Sequence, residues 1–455
     1  AELFEPDVRF LLSGAMPPTD VFSRRQFVGS AATAGLATLL ASSPRAFAAG
    51  ASDRIRIGLI GAGDRGTVSA GIIDCAEADP TIELVAIGDV FEDHWRSAPA
   101  NIEAAMSGRG LPFKDIYKVT PERMFSGFDA YKRVIECDVD LIILTTPPVF
   151  RPIHFKAAVA AGKHVFVEKP IAVDAPGVRD FLATAELAKT KGLTVVAGTQ
   201  MRRAPHIIDA VDYLRAGHMG DILAGQSFRM GAGLMDFRHS ESIRQSGWSD
   251  MEWQLRRWLF AVWASGDFIV EQHVHNLDLM NWLVGELPTK ATGFGGRQTR
   301  TDSIYLDAWD HLSVEYEFPS GARVVHLGSQ ADGLAYRNDL RLQGSDGDMM
   351  MSFGRAEVQG KSPRKFPGSK TVKPPVQEYK DTLDSIRNSK AINEGQQIAE
   401  STMTAILGRF AAYSGRAVSW SWAMNASQES LTPAAWEWGD LPLTPPAIPG
   451  KYKLT

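Results

Sequence analysis

Hydrophobic and polar positions divide this chain into two regimes. From Arg54 to Gly198, short and nearly continuous apolar runs alternate with segments of helical length; the runs are Arg54–Ile60, Ile82–Gly88, Val139–Thr145, His164–Val167 and Thr194–Ala197. Unbroken apolar character marks strands covered on both faces, so the pattern predicts an α/β fold with an N-terminal, doubly wound parallel sheet of the Rossmann type. Helices are expected over Pro152–Ala161, ended by Gly162, and around Val178–Lys189. The stretch after Asp89, which carries Pro99 and Pro112, reads as a polar insertion followed by helical patterning up to Glu136.

Beyond Gly198 the period falls to two. A helix of about Pro205–Ala216 leads into Ile222–Met230, and His311–Phe318, Arg323–Gly328, Asp339–Leu342 and Met349–Phe353 alternate apolar with polar residues. Turns at Pro319-Ser320-Gly321 and Ser345-Asp346-Gly347 join successive runs, so this half reads as an α+β domain on an antiparallel sheet. A sheet covered by helices on one face keeps the other free, which makes a homodimer or homotetramer through that face the expected assembly. Helices follow near Val376–Asn388 and Glu394–Tyr413, and a Pro-rich tail from Leu431 is expected to wrap the surface. The expected organisation is a leader over 1–50, a dinucleotide-binding domain over 51–198, a substrate-binding and oligomerisation domain over 199–430, and the tail over 431–455.

The leader is not read as structure. Ser23-Arg24-Arg25-Gln26-Phe27 is a twin-arginine pattern, followed by an Ala- and Gly-rich run from Val28 to Leu40 and a small-x-small site, Ala46-Phe47-Ala48; Met16 would make a conventional start for it. Export, to the periplasm or beyond, is the expectation. The run is too short for a stable membrane span, and an anchored form or an accidental arginine pair are the competing readings. The remaining stretch of about 400 residues is enough for two full cores. A net charge of -5 without a basic cluster beyond the leader argues against a nucleic-acid partner. Cys75 and Cys137 are expected as free, buried thiols, and no metal-ligand spacing occurs.

The first strand runs directly into Gly61-Ala62-Gly63-Asp64-Arg65-Gly66, a G-x-G-x-x-G motif in its required setting. The first glycine turns the chain, the second lets backbone approach a pyrophosphate, and the third lets the next helix pack on the sheet. The second strand ends at Asp89, whose carboxylate can accept both ribose hydroxyls of an adenosine and repels a 2′-phosphate. NAD is therefore expected in preference to NADP, with Arg65 the one nearby cation that would work against it; the bland alternative is a glycine turn without a nucleotide.

Chemistry is expected at two further places. Glu168-Lys169-Pro170 ends a parallel strand on the ligand edge of the sheet, where proline restricts Lys169 and favours a bent or cis connection that aims it into the crevice. In Gly266–Gly285, a helix starting near Glu271 would put Glu271, His275 and Asp278 on one face, so that a carboxylate one turn away supports His275 as general base. His273 falls on the apolar side and reads as a packed histidine. Trp248, Trp253, Trp258 and Trp263 crowd together with Arg256 and Arg257, a composition that suits a sugar ring or an ordinary core. Arg202 and Arg203 are expected at the crevice mouth.

The order of GAGDRG, Asp89, TTPPVFRPIHFKAAVAAGKHVFVEKP and EQHVHNLDLMNWLVG resembles the Gfo/Idh/MocA oxidoreductases, over about Arg54 to Ser427. The resemblance implies a second domain with a large, mostly antiparallel sheet, oligomerisation through it, and NAD(P)-dependent oxidation of sugars or cyclitols. It maps the family's lysine onto Lys169 and its histidine onto His275, with Glu271 where many members have Asp, and it sets Thr146, Pro147 and His154 beside the nicotinamide half of the cofactor. The expected cofactor site is thus the glycine loop, Asp89, Thr146, Pro147, His154, Glu168 and Lys169, with Arg202, Trp258, Glu271 and His275 on the substrate. Three functions follow: oxidation of a secondary hydroxyl on a sugar, glycoside or cyclitol; glycoside cleavage by transient oxidation and elimination; or a nucleotide-binding sensor without chemistry. An exported enzyme is also expected to keep its NAD, with the tail or a neighbouring subunit covering the adenosine edge.

Overall fold

Six parallel strands make the first sheet of the computed structural model, which describes residues 54–233 and 244–455; the expected twin-arginine leader lies outside the described residues. They are β1 (Arg56–Ile60), β2 (Glu83–Asp89), β3 (Met124–Ser126), β4 (Leu141–Leu144), β5 (His164–Val167) and β6 (Val195–Ala197), in the order β3-β2-β1-β4-β5-β6. The order reverses between β1 and β4, and the crevice at their carboxyl ends is where such sheets hold ligands. The expected parallel α/β layer is present.

The polar insertion after Asp89 is a helix instead. Glu92–Gly108 runs through Pro99, because Ala98, Ile102 and Met106 recur one turn apart and bury fully against the sheet, which outweighs the missing N–H of one proline. The three-residue β3 went unpredicted because it is too short to show a period.

The second sheet has nine strands. β7 (Ile222–Gly231), β8 (Lys290–Gly296), β9 (His311–Glu317), β10 (Arg323–Gln330), β11 (Arg337–Gly344), β12 (Gly347–Ser352), β13 (Arg355–Gly360), β14 (Arg364–Pro367) and β15 (Val418–Ser419) lie in the order β14-β13-β12-β11-β7-β10-β9-β8-β15. β7 and β10 pair in parallel, while the other neighbours are antiparallel. Leu312, Val314 and Tyr316 alternate into the core, where the helix Gly395–Ser414 covers β8 and β9. Of the two cysteines, both free, Cys75 is buried and Cys137 only half-buried.

Later parts of the chain fold back onto the first sheet. The helix Pro374–Arg387 places Tyr379, Leu383 and Ile386 in the core beneath β1, with Tyr379 stacked on Phe166 of β5 at 4.1 Å between ring centres. Arg409 is fully buried in the helix Gly395–Ser414 and donates to Val173 O at 2.7 Å, to Gly266 O at 3.3 Å and to Glu429 Oε1 at 2.8 Å. One guanidinium thus ties the loop after β5, the second domain and the start of the tail. Removing it strands Glu429 without its counter-charge, so Arg409→Met is expected to lower unfolding free energy by about 3–5 kcal/mol, read from the urea midpoint. A loss under about 1 kcal/mol, the value of an exposed pair, would mean that the tie is not structural.

Candidate active site

The crevice between β1 and β4 opens into a cavity of about 400 Å³ whose walls come from both sheets' domains. Gly61 adopts φ +102°, and a side chain there would meet the Thr145–Thr146 backbone at 2.8 Å. A Cβ on Gly66 would lie 2.1 Å from Gly61 O, so the third glycine seats the helix on the strand as expected. Gly63 is different: a Cβ there would point into open space, with its nearest neighbour, His94 Nδ1, at 3.9 Å. The N–H groups of Gly63, Asp64 and Arg65 find no acceptor among the described residues. Open backbone with unpaired donors at this loop fits a pyrophosphate.

Asp89 lines the same cavity and holds the loop in shape, accepting from Ala62 N at 2.6 Å and from Phe91 N at 2.9 Å. Arg65, which might have welcomed a 2′-phosphate, donates to Glu168 Oε1 at 2.7 Å through Nε. Arg65 is therefore engaged elsewhere, and Arg256, which also lines the cavity beside Phe91, is paired with Asp93 and Glu252. Thr146, Pro147 and His154 line the cavity as expected, with His154 stacked on Tyr131 at 4.3 Å and kept neutral by burial, which pulls its pKa to about 3.

Lys169 sits at the end of β5, its peptide to Pro170 cis, and is buried. Its Nζ donates to Glu271 O at 2.6 Å and to Glu271 Oε1 at 3.0 Å. Burial lowers the lysine's pKa against the pull of Glu271, and although burial also opposes charge on Glu271, Lys169 holds that carboxyl below its usual range. Half-buried His275 lines the same wall, its pKa brought well below 6.5 by burial and then by the positive Lys169.

Four expectations need correction: the helix from Glu271, Asp278, Arg202 and Arg203. The helix is not continuous: Phe268–Glu271 ends, His273 caps the next helix, and Val274–Val284 follows. Asp278 keeps its place one turn after His275 in that second helix but does not line the cavity; its carboxylate accepts from Arg202 Nη2 at 2.9 Å, Gln397 Nε2 at 2.7 Å and Ser401 Oγ at 2.6 Å. Arg202 does not line the cavity; it forks onto Asp278 and covers Trp282 at 4.7 Å, because a buried carboxylate needs a counter-charge. Arg203 is likewise committed, to Asp381 and Glu394. Of the four tryptophans only Trp258 lines the cavity, while Trp248 and Trp253 stack and Trp263 donates to Gln254.

His273 packs, as read, with Nδ1 2.8 Å from His326 Nε2 and no exposure. Sequence reasoning missed Arg151, which is buried at the cavity and donates through Nε to Thr146 O at 2.9 Å, and Phe91, Phe128 and Gln200 on its walls. Arg151 and Gln200 follow the strands β4 and β6 at the ligand edge, a signal open to sequence; Phe128 follows the unpredicted β3.

Profile comparison matches residues 55–199 to an oxidoreductase family with an NAD-binding Rossmann fold, and residues 210–350 to the GFO/IDH/MocA C-terminal domain. The chain belongs to the Gfo/Idh/MocA oxidoreductase family. Among curated relatives, inositol 2-dehydrogenase of Rhizobium meliloti is 25% identical over 64% of this chain and 74% of its own. 2,7-Anhydro-N-acetylneuraminate hydratase of Escherichia coli is 28% identical over 40% of this chain and 44% of its own. A glycosyl hydrolase family 109 protein of Streptomyces coelicolor is 29% identical over 38% of each. The chain thus spans less than half the length of the last two. The solved aldose-aldose oxidoreductase of Caulobacter crescentus shares the fold, with a TM-score of 0.60 at 20% identity over 80% of this chain and 99% of its own.

Two measurements test this Gfo/Idh/MocA site. NAD is expected to bind more tightly than NADP, and Asp89→Ser should cut NAD affinity by on the order of tenfold, the worth of one charge-assisted hydrogen bond, while narrowing the gap; equal wild-type affinities in calorimetric titration would sink the assignment of Asp89. Lys169→Ala and His275→Ala should each lower turnover by on the order of 10²-fold with nucleotide binding largely kept, and His273→Ala should matter less. A base must be neutral, so the acid limb of kcat/KM should lie below pH 6.5, whereas a protonated Lys169 would set an alkaline limb below 10.5.

Proposed function

We propose that this protein is an exported, NAD-dependent oxidoreductase acting on a secondary hydroxyl of a sugar, glycoside or cyclitol. The observation that carries the reading is the convergence of Lys169, Glu271 and His275 on the cavity that the glycine loop and Asp89 also line. NAD, when bound, supplies a hydride acceptor at its nicotinamide. His275, neutral across the working range, accepts the proton of the substrate hydroxyl. Lys169, fixed by two hydrogen bonds to Glu271, polarises the same oxygen or shares the proton. Trp258 offers an apolar face for a ring carbon skeleton, and Arg202 holds no place in this site.

Inositol and aldose oxidoreductases among the relatives and structures support a polyhydroxylated substrate. The family 109 glycosyl hydrolase supports a second reading, in which transient oxidation acidifies the neighbouring C–H, the glycosidic group leaves, and cleavage occurs without net redox change. A sensor without chemistry has less support, since it has no use for a buried acid/base pair in the cavity. Export rests on the Arg24-Arg25 pattern, and assembly as a dimer or tetramer rests on the uncovered sheet face.

Incubating the purified protein with a panel of glycosides and cyclitols, while following keto products, free aglycone and reduced nucleotide, separates these readings. Keto product without aglycone is expected. Free aglycone with no net nucleotide reduction would give the cleavage reading its place, and no conversion of any compound would leave the sensor.

A further inference from the structure

The C-terminal tail carries two tryptophans that the chemistry above does not use. It leaves the buried Arg409–Glu429 pair and is pinned on both sides of them: Leu431 N donates to Asp174 Oδ2 at 2.7 Å, and Gly439 O accepts from Met251 N at 3.2 Å. Gln254 Nε2 then donates to Leu441 O at 2.6 Å. Between these anchors Trp438 stacks on Phe91 at 5.6 Å and meets Phe128 at 4.7 Å, while Trp436 packs on Phe150 at 4.6 Å and Phe128 at 6.0 Å. Phe91, Phe128 and Phe150 are cavity walls, and Phe91 lies two residues beyond Asp89.

A second bridge crosses the same rim. Arg256, from the helix Asp250–Arg256 that Met251 and Gln254 fasten to the tail, lies over the Phe91 ring at 4.2 Å and pairs with Asp93 at 3.1 Å.

We propose that Trp436 and Trp438 are positioning residues for the cofactor: through Phe91 and Phe128 they close the adenosine half of the cavity, so that NAD is retained between turnovers and not exchanged with solvent. The inference rests on NAD binding and not on the identity of the substrate. An aromatic wall propped from outside must separate before the nucleotide leaves, and both ends of the prop are hydrogen-bonded to the body. Closure at the adenosine side leaves the Lys169–His275 end for substrate entry. It also gives physical content to export as a folded, loaded protein, where free NAD is scarce.

The test is nucleotide content after extensive dialysis without NAD, released by denaturation and quantified against protein, with the release rate followed by trapping freed nucleotide with an NAD-consuming enzyme. The wild-type chain is expected to hold near-stoichiometric NAD. Trp436→Ala/Trp438→Ala should release it at least tenfold faster and come off dialysis largely empty. Trp438 is 44% exposed, so Trp438→Ala alone spares the core if the double variant does not fold, and Trp438→Phe should restore retention because a smaller ring still stacks. An empty wild-type protein, or tryptophan variants that retain nucleotide as the wild type does, would overturn the proposal. Neither result depends on finding a substrate, so its failure is separable from failure of the proposed activity.

Discussion

A lysine that replaces a helical hydrogen bond organises this site. In an unbroken helix the Glu271 carbonyl would accept from the N–H of residue 275; here it accepts from Lys169 Nζ at 2.6 Å, and Glu271 Oε1 takes the same ammonium at 3.0 Å. The helix stops at Glu271 and restarts at Val274. That break sets the direction of His275, joins the end of β5 to the second domain, and buries both charges, where loss of either partner would leave the other uncompensated. Glutamate suits the arrangement. Its extra methylene lets one residue offer carbonyl and carboxylate to a single ammonium.

The same pair explains why the second domain and the parallel sheet form one working unit. A site assembled from two layers needs their separation fixed, since misplacement by about 1 Å is enough to spoil positioned acid/base chemistry. Lys169–Glu271 fixes it inside the cavity. Arg409 fixes it behind, through Val173, Gly266 and Glu429, and the helix Pro374–Arg387 fixes it beneath by completing the core of the first sheet. The tail starts from the second of these ties, crosses the aromatic rim and returns to the tie, where Tyr452 Oη donates to Glu429 Oε2 at 2.6 Å.

Much of the first sheet was legible because its signals are local. The glycine loop, Asp89 and Lys169-Pro170 each follow a strand with a recognisable apolar run, and the backbone chemistry of glycine and proline acts over a few residues. Non-local partners were not legible. On a helical wheel Asp278 shares the face of His275, but its carboxylate is taken by Gln397, 119 positions away, and by Ser401, 123 away, partners no local pattern shows. Arg202 was assigned to the cavity by its place after β6, yet its partner is that same Asp278. The helix through Pro99 was hidden because one unfavourable residue is conspicuous in sequence, whereas a buried stripe gains its weight from a sheet formed elsewhere.

The cavity's two ends differ in kind, and the difference bears on how a cycle can run. One end is aromatic and propped by the tail; the other presents Lys169, Glu271 and His275 with depressed basicity at both the lysine and the histidine. If the nucleotide stays, the second half of each cycle must use the groups of the first half in reverse, so the histidine that accepts a proton must later return it to a carbonyl oxygen. Burial and the positive Lys169 favour the neutral imidazole, so His275 is free to accept a proton and gives it up readily to a carbonyl oxygen. A strongly basic histidine would hold its proton and stall the return step.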